Sequence, residues 1–498
     1  MPTQNTQYLY QARQVREGEV VVAKAQGVSL YQLMERAGAA AFALLIGQYP
    51  SLCELCVVCG KGNNGGDGYV VARLAQEHGM VVHLVQVGEP ERLQGDVREA
   101  MLAWQRSGGT IMSEKALPLL LNQCDVVVDA LLGTGLSGSV RSELVTLIDM
   151  LNHSGKPVLS IDIPSGLCAD SGQILGAAVH AAHTITFIGI KQGLMTGQAR
   201  ACRGKLHFAG LDVAEHFARQ VKTHIEAMDK NSLADWLPKR SPVAHKGDHG
   251  KLLLMGGNRS MAGAIRLAAG AAARSGAGLL VALTHPESAL PLQVSCPEVM
   301  TATWMQNSAE LEKRIDWADV LVAGPGLGLD EWAKSLWLSI KAFQGPSVLD
   351  ADGLNWLARH PDHNDLRVIT PHPGEAARLL GCSVAEIEAD RFAAVQVLQA
   401  QYGGVAVLKG AGTLICDGNK TYVCDAGNPG MASGGMGDVL AGVIGALLAQ
   451  KLPLLSAARL GVLLHSCAAD LCVQRHGEIG LLASDLPDEI RRLLNGKA

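Results

Sequence analysis

Nine consecutive residues, Gly60, Lys61, Gly62, Asn63, Asn64, Gly65, Gly66, Asp67 and Gly68, hold five glycines, two asparagines and an aspartate. They lie between an apolar run at 55–59, read as a buried strand, and a helical stretch at 68–78 with Val71, Leu74 and Ala75 on one face. Strand, Gly-rich loop and helix in that order admit few folds. The glycines are expected to let the backbone take positive φ and turn its N–H groups outward, and the helix adds its positive end. Such a loop is a phosphate cradle at the carboxyl ends of parallel strands.

The same pattern recurs along the chain. Further strand candidates at 81–85, 126–129, 158–163 and 184–188 alternate with helical stretches, which predicts a parallel sheet covered on both faces, a Rossmann-like doubly wound α/β domain over 1–218. A charged, Pro-containing stretch near 215–245 marks the passage to a second α/β domain over 219–498. There the expected strands are 252–255, 279–283, 320–323, 347–350, 368–370 and 405–409. Helices are expected at 262–275, 384–401, 437–450 and 455–475, with a hairpin turning at Asp417 and Gly418. Glycine, at 57 of 498 residues, exceeds the usual ~7% with no repeat period, as expected of many tight ligand-approaching loops.

Formal charge is 42 − 47 = −5, which argues against a nucleic-acid partner. No apolar run of the ~18 residues needed to span a bilayer is read from the sequence, so no membrane partner is expected. The start lacks the basic and apolar regions of a secretory signal, and twelve cysteines are then expected to be reduced thiols of a cytoplasmic protein. Cys53, Cys56 and Cys59 are spaced three apart, but on a strand that spacing points Cys56 away from the other two, so no iron–sulfur cluster is expected.

Two more strand ends in the first domain are polar and Gly-flanked. Asp129 is followed by Gly133, Thr134, Gly135, Leu136, Ser137, Gly138 and Ser139; Asp162 is followed by Pro164, Ser165 and Gly166. Together with the 62–68 loop they resemble the N-terminal domain of the bifunctional NAD(P)H-hydrate repair enzymes, the YjeF family. The resemblance implies epimerisation of the hydrated nicotinamide ring at C6. It implies that Asn63, Asn64, Gly65, Gly66, Asp67, the loop Gly133 to Ser139 and Asp162 bind the dinucleotide. It also implies K⁺ on Asn64, Asp129 and Ser165, whose oxygens suit a hard cation. Asp162 is the expected acid/base.

In the second domain Gly434, Gly435, Met436 and Gly437 lead straight into an apolar helix, forming an anion hole with Asp438 in the first helical turn. A carboxylate there can deprotonate a hydroxyl attacking a phosphoryl group. The string 428–442 resembles the C-terminal, ribokinase-like domain of the same family, an ADP- or ATP-dependent NAD(P)H-hydrate dehydratase. The resemblance implies adenine-nucleotide binding by Lys409, Gly410, Ala411, Gly412, Thr413 and Gly437. It implies hydrated-dinucleotide binding by Ala264, Gly326, His372 and Asp438, with Asp438 catalytic. ADP is the expected nucleotide, accompanied by Mg²⁺ whose ligands the sequence does not place. His245 and His249 read as loop residues. Asp350 and Asp352 read as one face of a strand, holding cation waters or capping the next helix. The expected partners are NADHX, NADPHX, ADP and further copies of this chain. A small-molecule kinase and a non-enzymatic scaffold are the competing readings. The kinase would release a stable phosphoester, and the scaffold would not need Asn64, Asp129 and Asp162 together.

Overall fold

In the computed structural model, which describes residues 7–237, 240–305 and 308–497, seven parallel strands make the first sheet. Their order is Ile111–Ser113, Val81–Gln86, Glu54–Cys59, Val126–Ala130, Val158–Ile161, His183–Phe187 and Lys205–Ala209. Alternate residues of Glu54–Cys59 enter different cores. Val57 and Cys59 join the cluster containing Tyr69, Val71 and Trp104, whereas Cys56 and Val58 join Leu117, Cys124 and Ile148. Both faces are therefore covered, as the continuous apolar strands predict, and Cys56 does point away from Cys59. The chain order reverses between Glu54–Cys59 and Val126–Ala130, so the loops leaving these neighbours flank a crevice.

The chain divides into compact units Met1–Ala227 and Met228–Ala498. The division falls later than residue 218 because Ile225–Ala227 pairs antiparallel with Tyr8–Tyr10, which also pairs with Ile190–Lys191.

The second unit has its own sheet. Met300–Thr303, Leu279–Thr284, Lys251–Met255, Val320–Ala323, Ser347–Leu349, Arg367–Ile369 and Val405–Leu408 run parallel, and Thr413–Cys416 and Thr421–Cys424 continue antiparallel. The hairpin turns at Asp417 and Gly418 as expected. Helix Met436–Ala449 is buried along most of its length and packs on Ala262–Arg274, where a Cβ on Gly442 would lie 2.1 Å from the Ala268 carbonyl oxygen.

Several expectations need correction. The helix expected over 384–401 is two, Val384–Ala389 and Arg391–Tyr402, divided at Asp390, whose side chain caps the second by accepting from Ala393 N at 3.0 Å. A final helix, Leu486–Leu494, and the short strands Ile111–Ser113, Lys205–Ala209 and Met300–Thr303 were not legible. Helix Leu454–His476 is long and apolar enough to cross a membrane by length and composition, although it holds no uninterrupted apolar run of that length. It carries Arg459, His465 and Asp470, and 67% of its most apolar window is buried inside the unit, as for a central core helix.

Two candidate active sites

Helix Asn63–Glu77 begins five residues earlier than expected, so Asn63 to Gly68 form its first turns and Gly62 is its N-cap, at φ −97°. None of the five loop glycines adopts positive φ. The expectation of left-handed backbone is wrong; close approach instead demands glycine at 60, 65, 66 and 68, though not at 62. A Cβ on Gly60 would lie 1.8 Å from the Leu131 carbonyl oxygen, and one on Gly65 2.1 Å from that of Gly60. One on Gly66 would strike Met34. The helix start is thereby pressed against the Leu131–Ser139 loop.

Between these loops opens a cavity of about 1170 Å³. Asn63, Asn64, Asp67, Gly133, Thr134, Gly135, Leu136, Ser137, Ser139 and Asp162 line it, whereas Gly65, Gly66 and Gly138 do not. Asp129 and Ser165 are fully buried beneath it. Asp129 accepts from Ser160 Oγ (2.8 Å), Ser165 N (2.9 Å) and Ser165 Oγ (2.5 Å). Burial nevertheless holds its carboxyl above the usual carboxylate range. Leu132 joins the predicted trio. Its carbonyl accepts from Asn64 Nδ2 at 3.0 Å, and its N–H donates to Ser165 Oγ at 2.7 Å. Asn64 Oδ1 is buried with no hydrogen-bond partner among the described residues.

Asp162 sits at φ 63°, a left-handed conformation unusual for a non-glycine residue, just beyond strand Val158–Ile161. Its Oδ1 accepts from Lys191 Nζ and from Thr186 Oγ1 (3.2 Å). Lys191 also donates to Thr186 Oγ1 (3.1 Å) and the Phe187 carbonyl (3.2 Å). Lys191 and Glu19, both on the cavity wall, were missed by sequence reasoning. A lysine closing the apolar run Ile188, Gly189, Ile190 was a signal for the first. Nothing local marked Glu19, on helix Ala12–Gln26.

In the second unit Gly435, at φ 89°, caps helix Met436–Ala449, and Asp438 lies in its first turn. The site lysine, Lys409, donates to Asp350 Oδ1 at 2.6 Å and lies 3.7 Å from Glu375 Oε2. Thr370 Oγ1 donates to the same Asp350 oxygen (2.8 Å). A Cβ on Gly437 would lie 3.1 Å from both Asp350 Oδ2 and Lys409 Nζ, so this glycine leaves the pair open to the helix start. Burial, then repulsion from Asp350, pushes the Asp438 carboxyl up to about 7, against the pull of Lys409. That is where a general base operates near neutrality.

Asp350 and Asp352 do not share a strand face. The strand ends at Leu349, Ala351 turns at φ 48°, and Asp352 opens the next helix. Asp350 meets Lys409, whereas Asp352 accepts from Gly328 N at 2.8 Å. The Gly326 loop packs on Ala264: a Cβ on Gly326 would lie 3.1 Å from the Ala264 Cβ. His372 caps its helix, Nδ1 accepting from Gly374 N at 2.9 Å, while its backbone N–H donates to Glu375 Oε2 at 2.8 Å. Thr413 Oγ1 donates to the Gly410 carbonyl (3.1 Å), folding the 409–413 loop, with Ala411 exposed and Gly412 buried. Buried Arg391 donates to the Lys409 carbonyl at 3.0 Å and anchors that loop from below, a support sequence reasoning missed.

Comparison with known proteins covers both units. The family described as NAD(P)H-hydrate dehydratase matches residues 252–492, and the family described as YjeF-related protein N-terminus matches residues 30–193. A Vibrio cholerae serotype O1 protein named bifunctional NAD(P)H-hydrate repair enzyme Nnr is 50% identical over 489 residues, 98% of this chain and 98% of its own. A protein of the same name from Escherichia coli K12 is 47% identical, over 98% of this chain and 94% of its own. A solved ribokinase-like superfamily protein from Enterococcus faecalis is 30% identical and covers 56% of this chain and 98% of its own, with a TM-score of 0.52. With two family matches in order and near-complete coverage at half identity, the chain belongs to the family of bifunctional NAD(P)H-hydrate repair enzymes.

Proposed function

We propose that the chain restores hydrated NADH and NADPH in two steps. The first unit interconverts the R and S epimers at C6, and the second dehydrates the S epimer at the expense of ADP. The observation that carries this reading is an inverted pair of ion pairs. Lys191 is 2% exposed and Asp162 17%, whereas Lys409 is 19% exposed and Asp350 2%. The first site presents a carboxylate to its ligand, suited to moving protons; the second presents an ammonium, suited to phosphate.

In the first unit the two loops and Asp162 hold the dinucleotide, and Asp162 exchanges the proton of the hydroxyl on the hydrated carbon. Asn64, Asp129 and Ser165 fit K⁺. They offer oxygen donors, Asn64 Oδ1 is buried without a partner, and Asp129 is a buried carboxylate without a cation among the described residues. K⁺ there supplies positive charge that fixes the loop after Asp129.

In the second unit the 409–413 loop and Gly437 hold ADP, and Ala264, Gly326 and His372 line the hydrated dinucleotide. Asp438 takes the proton of the C6 hydroxyl, whose oxygen attacks the terminal phosphorus of ADP and displaces AMP. Phosphate then departs from C6 as the ring nitrogen supplies electrons, and loss of a C5 proton restores the double bond. Mg²⁺ bound with the nucleotide neutralises phosphate charge. Among the described residues no three His, Cys, Asp or Glu side chains cluster to hold the ion by themselves, so its ligands would come largely from the nucleotide phosphates.

The test is recovery of 340 nm absorbance from mixed-epimer NADHX with ADP, Mg²⁺ and K⁺. Full recovery with release of AMP and phosphate supports both steps. A stall at the S fraction removes the first, and a stable phosphorylated product points instead to a small-molecule kinase.

A further inference from the structure

Epimerisation at C6 of a hydrated nicotinamide needs two proton handlers. C6 bears a hydroxyl and is bonded to the ring nitrogen N1. Opening the ring removes the hydroxyl proton, makes a C6 carbonyl from the O–H electrons and sends the C6–N1 electrons to N1, which must gain a proton. Rotation about C5–C6 and reversal of both transfers give the other epimer, so no other reactant is consumed. Asp162 Oδ1 is taken by Lys191 and Thr186, which leaves one carboxyl oxygen for two transfers at two atoms, so a second group completes the cycle.

Besides Asp162 the cavity wall carries five carboxyls, Glu19, Asp67, Asp96, Glu114 and Glu143, and five cations, Arg16, Lys61, Lys115, Arg141 and Lys191. Asp67 is buried to 9% exposure on the first turns of helix Asn63–Glu77, and its side chain has no hydrogen-bond or ion-pair partner among the described residues. The groups acting on it are Asp162 at the end of strand Val158–Ile161, Glu19 on helix Ala12–Gln26 and Lys191. The thiol of Cys59 on the neighbouring strand lies close enough to feel its charge. Lys191 is already committed to Asp162 Oδ1, Thr186 and Phe187, so it offers Asp67 no ion pair. Asp67, Glu19 and Asp162 act on one another with Lys191 as their neighbouring cation, and three carboxyls around one lysine cannot all ionise cheaply. Burial and then Asp162 and Glu19 push the Asp67 carboxyl well up, and burial also raises that of Glu19.

We propose that Asp67 is the second catalytic residue of the epimerase site, the protonated carboxyl that serves N1 while Asp162 serves the C6 hydroxyl, with Lys191 as the residue that positions Asp162. This rests on the epimerase reading of the first unit.

The test uses the full chain, R-enriched NADHX without ADP, and chromatographic R/S equilibration corrected for the spontaneous rate. Asp67→Asn is expected to lower kcat about 100-fold or more with KM within about 3-fold, as general acid–base groups contribute ~10²–10⁴. It should also abolish the alkaline fall of the pH–kcat profile, while dehydration of S-NADHX with ADP stays intact as a control for folding. Glu19→Gln is expected to keep kcat within about 5-fold and to shift that alkaline limb to lower pH, since its negative charge helps hold the Asp67 proton. Retention of the alkaline limb and near-normal kcat in Asp67→Asn overturns the proposal. So does transfer of the full loss to Glu19→Gln, which would make Glu19 the acid. Normal equilibration in Asp162→Asn would instead bring down the underlying epimerase reading.

Discussion

The two units place a lysine and a carboxylate at the same station, beyond the ends of parallel strands, and bury opposite members. Lys191 has three protein acceptors and almost no solvent contact; Lys409 keeps contact with the opening beside Gly437. A buried cation with all its donors used can only hold its partner in place. A half-open one can still reach an incoming phosphate. On the proposed reading the same pair of residue types serves proton handling in one unit and phosphate handling in the other, and the variable that separates the two pairs is exposure, which no motif records.

The largest effect that sharpens this contrast is a reciprocal loss. Asp438→Asn is expected to lower dehydration of S-NADHX by about 10²–10⁴-fold and leave R/S equilibration unchanged. Asp162→Ala is expected to do the converse. The checks are 340 nm recovery with ADP and chromatographic equilibration without it. A substitution that depressed both activities would mean that the sites do not act independently.

A second comparison lies within one loop. Gly60→Ala forces a Cβ to 1.8 Å from the Leu131 carbonyl oxygen, a backbone clash, whereas a Cβ on Gly62 meets nothing within 4 Å at an ordinary φ of −97°. Gly60→Ala should cost about 3 kcal/mol or more, and Gly62→Ala less than about 0.5 kcal/mol. Denaturant unfolding of each variant, followed by epimerase activity, measures the difference. Equal costs would return the loop glycines to the conformational role that the sequence suggested.

That loop also shows what was legible and what was not. The alternation of apolar runs and Gly-rich turns revealed both sheets, because buried parallel strands must be continuously apolar and their ends must be polar. The short edge strands Ile111–Ser113 and Met300–Thr303 escaped because three or four half-exposed residues carry no periodicity. Asp129, Asp162, Ser165 and Asp438 were readable at strand or helix ends. Glu19 and Arg391 were not, since their importance comes from contacts across the fold rather than from their neighbours in sequence. The role assigned to the glycines failed for the same reason: close approach is a tertiary fact, while positive φ is a local guess.

The lysines themselves give a third, smaller effect. Lys409→Gln is expected to raise KM for ADP about 10–100-fold, the worth of a charge-assisted contact. Lys191→Gln is expected to lower epimerisation kcat by about 10-fold with little change in KM for NADHX, because it acts on Asp162 and not on the ligand. Steady-state kinetics on each reaction separates the two. If both variants changed only KM, the contrast in burial would have no functional meaning.

The smallest effect concerns stability, and its sign is fixed by Asp438. In the folded chain this carboxyl is pushed up to about 7, above its ordinary value near 3.9. Between these values the folded state keeps a proton that the unfolded chain has lost. Stability contributed by this group therefore falls as pH rises from about 4 to about 7 and is level above that. A shift costs at most roughly 1.4 kcal/mol per pKa unit, and partial solvent contact reduces it, so about 1–2 kcal/mol is expected. Asp438→Asn should remove this slope and make the second unit more stable than the wild type at pH 8, though not at pH 4. Six of the seven tryptophans lie in that unit, Trp104 being the exception, so fluorescence-monitored urea unfolding at the two pH values reads it directly. Dehydration needs the ionised form, so kcat/KM should rise over the upper part of the range in which stability falls. Opposite slopes, both abolished by one substitution, would assign to a single carboxyl both the cost of its burial and the chemistry that burial makes possible. An unchanged stability slope in the variant would place the titrating group elsewhere and leave Asp438 an ordinary first-turn aspartate.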